Sequence, residues 1–96
     1  MAPSARPSAR PSAAEELRQL RPFWQDGRII RWPARESRRR LLLAEVIRAF
    51  PMGKRMTESE VDAILRELWP DHCLVRRSLV DRELLNRKHG IYWRVG

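Results

Sequence analysis

Ninety-six residues, 43% of them hydrophobic, make one small domain with little interior left for a buried active-site cavity beside its core. Twenty basic residues against twelve acidic ones give a net charge of +8, which favours polyanionic partners, although eighteen of the cations are Arg, a bias that GC-rich coding also produces. One cysteine excludes an intramolecular disulfide, and the longest aliphatic run, Leu41 to Ala44, is far too short to span a bilayer.

Residues 1–14 repeat Pro-Ser-Ala-Arg almost twice and contain no large apolar side chain after Met1. Proline at every fourth position blocks both helix and sheet ladder, so this segment is predicted to be a disordered, extended tail carrying Arg6 and Arg10. Residues 15–96 are the expected folded domain. Glu15 and Glu16 suit a helix start, and Leu17, Leu20 and Trp24 fall on one face of a helix that Pro22 keeps short. Asp26-Gly27 signals a turn, and Arg28 to Trp32 reads as extended until Pro33 stops it.

A helix is predicted from about Glu36 to Phe50. Leu43, Val46, Ile47 and Phe50 recur at i, i+3, i+4 and i+7, a stripe that faces a core. Arg38, Arg39 and Arg40 crowd its first turns, at the end of the helix dipole that disfavours cations. They are either a solvated face or a phosphate contact.

Thr57 opens the best-specified element. Thr57 and Glu60 have the spacing of a capping box, Met56 and Val61 that of a hydrophobic staple. Val61, Ile64, Leu65 and Leu68 continue the stripe until Pro70 ends the helix just after Trp69. Asp71 is the expected N-cap of a following helix that runs to Arg82 or Leu84. So short a connection sets the two helices at an angle, as in a helix-turn-helix. Asn86 to Gly90 then reads as a polar turn, and Ile91, Trp93 and Val95 alternate with Tyr92 and Arg94 in a strand. The pattern predicts an α+β, mainly helical, winged-helix-like domain.

Chemistry has little purchase here. One cysteine and two histidines make no usual zinc set, no glycine-rich phosphate loop is present, and no Ser-His-acid pattern stands out. Cys73 reads as a small buried residue, His72 as packed near a helix start, and His89 as exposed. The tryptophans, Trp24, Trp32, Trp69 and Trp93, are most simply explained as closing the core. No cofactor, no metal and no catalytic residue is expected.

In a helix-turn-helix the second helix offers its outer face to the major groove. At about 100° per residue, His72, Val75, Arg76, Leu79 and Val80 turn inward. Leu74, Arg77, Ser78, Asp81 and Arg82 turn outward. Arg77, Ser78 and Arg82 are therefore the candidate groove residues, Arg87 and Lys88 the backbone contacts on the wing, and Arg38 and Arg39 additional phosphate contacts. Arg76 is read as structural, with Glu45 as its candidate partner. The expected partner is double-stranded DNA. The alternative is an accessory module that binds a regulatory protein or a second copy of the chain. A cytoplasmic protein without a membrane partner is expected.

The chain also resembles a bacterial family, domain of unknown function 2087. The resemblance rests on Asp26-Gly27-Arg28-Ile29, Pro33-Ala34-Arg35, Thr57-Glu58-Ser59-Glu60-Val61, Val75-Arg76-Arg77-Ser78-Leu79-Val80-Asp81, and Leu84-Leu85 before Tyr92-Trp93-Arg94, in order over about residues 17–95. It implies a small winged-helix-like domain, found alone or appended to transcriptional regulators, with no catalytic residues to carry over. Where the family commonly has glycine before the Leu-Leu pair, this chain has Glu83. A glycine there would close the helix in a left-handed conformation.

Overall fold

The computed structural model describes residues 12–96. The extended tail expected over residues 1–14, with Arg6 and Arg10, lies almost wholly outside them. The first helix, α1 (Ala13–Leu20), starts two residues before Glu15 because Ser12 caps it, its hydroxyl accepting from the Glu15 N–H at 3.1 Å. Trp24 is not part of this helix. It lies in β1 (Trp24–Gln25), which pairs with β2 (Arg28–Ile29) across Asp26 and Gly27, both at positive φ. That is the backbone a two-residue hairpin demands. Leu17, placed on the apolar face by spacing, is 62% exposed, whereas Leu20 is buried.

The long central helix begins where expected but changes pitch: α2 (Glu36–Val46) tightens into a 3-10 turn over Ile47–Ala49. Leu42, Leu43, Val46, Ile47 and Phe50 are all buried, so the predicted stripe is the core's spine. The chain then forms β3 (Met56–Thr57), a strand too short to show any periodicity.

Helix α3 (Glu58–Arg66) carries the predicted capping box in full. The Glu60 N–H donates to the Thr57 hydroxyl at 3.2 Å, and the Thr57 N–H donates to Glu60 Oε1 at 2.9 Å. The helix stops at Arg66, three residues before Trp69. The N–H groups of Leu68 and Trp69 both donate to the Leu65 carbonyl at 2.9 Å, a tight closing turn. The Leu68 carbonyl accepts the Ile29 N–H at 2.9 Å, which ties the small hairpin to this corner.

Asp71 caps α4 (His72–Asp81) through the Leu74 N–H at 3.2 Å. Its exit is a complete Schellman motif. The Glu83 N–H donates to the Val80 carbonyl at 3.0 Å and the Leu84 N–H to the Leu79 carbonyl at 2.9 Å. Glu83 takes the left-handed position, at φ 60°, that glycine would occupy without strain.

Strands β4 (Leu85–Lys88) and β5 (Ile91–Arg94) follow, joined by His89 and Gly90, both at positive φ. With β3 they form an antiparallel sheet in the order β3-β5-β4. The helices α2, α3 and α4, with β3 between the first two and the hairpin after the third, make the fold winged-helix-like. The core joins Leu42, Leu43, Val46, Phe50, Met56, Val61, Leu65, Val75, Leu79, Leu85 and Tyr92.

The alternation of β5 resolves with Tyr92, not Trp93, turned to the core. Tyr92 is 1% exposed and faces the helices, while Ile91 and Trp93 are half-buried on the other face and Val95 is 50% exposed. Two polar anchors fix this phase. The Tyr92 hydroxyl donates to Glu58 Oε1 at 3.0 Å, and Arg94 Nη1 donates to the Phe50 carbonyl at 3.0 Å. In a strand a one-residue change of phase moves every side chain to the opposite face.

Candidate nucleic-acid interface

Helix α4 presents the division of faces that its spacing predicts. Val75 and Leu79 are buried, and Arg77 and Asp81 are exposed. Cys73 is exposed as well, not buried as its small apolar character suggested. Arg76 turns inward, as expected, but its partner is not Glu45, which pairs with Arg48 of its own helix at 3.6 Å. Arg76 Nη1 instead hydrogen-bonds Asp62 of α3, and Nη2 lies 3.7 Å from Glu58. Its side chain is only 17% exposed and that of Asp62 13%. Burial pulls the Arg76 pKa down, but the hydrogen bond and charge of Asp62, helped by Glu58, outweigh it and hold the guanidinium above its ordinary value. His72 Nε2 stands 3.8 Å from Asp62 Oδ2.

The sequence contains the signal for this arrangement. Glu58 and Asp62 stand four residues apart on α3, as do His72 and Arg76 on α4, so each pair shares one helix face.

Of the outward candidates, Arg77 alone is both exposed and without an acidic partner among the described residues. Ser78 is half-buried and donates its hydroxyl to the Leu74 carbonyl at 2.8 Å, a bond internal to the helix. Arg82 is drawn sideways and pairs with Glu36 at the start of α2. Its hydrogen bond, reinforced by the charges of Arg82, Arg39 and Arg40, holds the Glu36 carboxyl below its ordinary value against the opposing effect of burial. Arg39 also meets Glu36, at 3.6 Å. Arg39, Ser78 and Arg82 thus come together with Trp32, Leu43 and Leu74 along a shallow cleft between α2 and α4, with Glu36 between the two cations.

Arg38 is half-buried and donates to Gln19 Oε1 of α1 at 3.4 Å. On the wing, Arg87 and Lys88 are exposed, without an acidic partner among the described residues. The ladder puts them on opposite faces: Arg87 stands across from Tyr92, Lys88 across from Ile91. Arg77, Arg87 and Lys88 are therefore the uncommitted cations of the predicted set. Glu36 engages two of the others, Arg39 from three residues along its own helix and Arg82 from 46 residues away on α4.

No described helix is long and apolar enough to cross a membrane. No curated protein and no solved structure matches the chain. The family model described as "uncharacterized protein conserved in bacteria (DUF2087)" matches residues 28–94. That span takes in β2 to β5, and the chain belongs to this family.

Proposed function

We propose that this protein binds duplex DNA in transcriptional regulation, with Arg77 of α4 directed at the groove and Arg87 and Lys88 of the wing at the phosphate backbone. The observation that carries this reading is selective engagement. Arg39, Arg76 and Arg82 are taken up by carboxylates of the same chain, while Arg77, Arg87 and Lys88 are left to solvent with no acid paired to them among the described residues. Exposed cations on a helix-turn-helix and its wing are what phosphate contact requires. With Arg77 the principal donor on α4 and Asp81 exposed beside it, backbone contact dominates and base discrimination is modest.

That exposed Asp81, together with the Arg82–Glu36 pair, favours a second reading, an accessory module that docks on a regulatory protein without touching DNA. Duplex binding across a salt series separates the two. A DNA reader weakens steeply as salt rises, and joint replacement of Arg87 and Lys88 by Ala lowers the slope of log K against log salt by about 2. No binding to duplex at low salt would leave the accessory module as the reading.

A further inference from the structure

The outward face of the three-stranded sheet carries a surface that folding does not account for. Ile91 and Trp93 of the central strand, with Val95 just past its end, lie on the side away from the helices. Trp24, Trp32 and Trp69 pack against the core cluster, but Trp93 stands on this open face. Lys88 lies across the ladder from Ile91, and Asn86 from Trp93. On the other flank Arg55 holds its guanidinium 5.7 Å from the centre of the Trp93 ring, near the ~6 Å outer limit of a cation–π contact. The strand residues of this face, Thr57, Asn86, Lys88, Ile91 and Trp93, and Arg55 just before β3, include no acid. The carboxylate of Glu60, three residues past Thr57, accepts the Thr57 N–H.

A cationic rim around an aromatic ring limits what can cover it. A second copy meeting this face about a twofold axis would bring Arg55 and Lys88 towards their own counterparts, like charge near like charge. An anionic chain that also offers flat apolar faces matches both parts of the surface. Duplex DNA does not, since its base faces are already stacked on one another. Unpaired nucleotides do: their bases stack on aromatic rings and on guanidinium planes, and their phosphates seek cations.

We propose that the open face of the wing sheet binds single-stranded nucleic acid, with a base stacked on Trp93 beside Arg55 and the adjoining phosphates met by Lys88 and Arg55. This site shares only Lys88 with the proposed duplex surface, so either can stand without the other.

The test is fluorescence anisotropy of the full chain with a labelled oligo-dT of about 12 nucleotides, run beside a labelled duplex. Trp93→Ala should weaken oligo-dT binding about tenfold, and Trp93→Phe should retain most of it. Arg55→Ala, which leaves the ring in place, should cost several-fold, while Arg77→Ala should leave oligo-dT binding unchanged. Duplex affinity should show the opposite dependence, falling with Arg77→Ala and not with Trp93→Ala. Thermal melting of each variant confirms that the folded protein is being compared. Equal oligo-dT affinity of the parent and Arg55→Ala chains, or of the parent and a folded Trp93→Ala chain, overturns the proposal, as does the absence of oligo-dT binding at low salt. So does a sedimentation result in which the parent self-associates and Trp93→Ala abolishes it, since the occupant is then a second copy. Loss of duplex binding with oligo-dT binding intact would count against the duplex reading alone.

Discussion

Tyr92 and Arg76 converge on one carboxylate. The phenol donates to Glu58 Oε1 at 3.0 Å, and Arg76 Nη2 lies 3.7 Å from Glu58 Oε2. Glu58 thus joins the central strand of the wing to the helix that faces solvent, and Asp62 completes the bridge one helical turn further on.

Replacing Arg76 by Ala leaves Asp62, whose side chain is 13% exposed, with His72 as its one remaining ion-pair partner among the described residues. Removing one partner of a fully buried pair costs about 3–5 kcal/mol, and this pair retains some water, so about 2 kcal/mol is expected. Urea denaturation measures it. Duplex affinity per folded molecule should not change, because the side chain faces α3; a loss of affinity at unchanged stability would make Arg76 a contact residue.

Tyr92→Phe keeps the ring that fills the core and deletes only the hydroxyl. The expected cost is about 1 kcal/mol, the net value of one hydrogen bond. If the variant is as stable as the parent, the hydroxyl is not what selects the phase of β5.

At Glu83 the direction reverses. A non-glycine residue in the left-handed region costs about 1–2 kcal/mol, part of which glycine loses again through the entropy of the unfolded chain. Glu83→Gly should therefore stabilise the domain by about 0.5–1 kcal/mol, read as a rise of roughly 3–6 °C in thermal midpoint. An unchanged or lowered midpoint would mean that the glutamate side chain contributes more than its backbone strain removes.

The Glu36–Arg82 pair predicts a pH dependence of definite sign. The folded carboxyl sits below its ordinary value of 4.5, because ionisation strengthens its bond to Arg82. Its contribution is therefore fully present above that ordinary value and is lost as pH falls through the depressed one. The difference in thermal midpoint between parent and Glu36→Gln should shrink on acidification across this range; a constant difference would rule the pair out as its source. At neutral pH the same substitution releases Arg39 and Arg82 towards solvent, so duplex binding should tighten several-fold and its salt slope steepen by about 2.

Much of the helical scaffold is legible in sequence, because its signals are local. The capping box at Thr57 and Glu60, the Asp71 cap and the stripe from Leu43 to Phe50 each need only a few neighbouring residues, and each appears in the structure. Three features are not legible, for three physical reasons. Strand β3 is two residues long, too short for a period, and exists through its partner β5. The phase of β5 is ambiguous because Tyr92 and Trp93 are both bulky and apolar. It is settled by Glu58 and by the Phe50 carbonyl, both distant in sequence. The outward set on α4 loses Arg82 because Glu36 lies 46 residues away, beyond any helical spacing rule. What separates Arg77 from Arg82 is that one long-range pair.

Thr57 holds two positions at once: it caps α3 and pairs with Ile91 in the sheet. One residue therefore belongs to both the helix-turn-helix and the sheet of the wing, with no linker between β3 and α3 in which a hinge could form. Swinging the hairpin against the helices would break the cap and the β3–β5 pairing together. The wing is thus held at a preset angle on the side where β3 meets α3. Whatever it meets must conform to that angle.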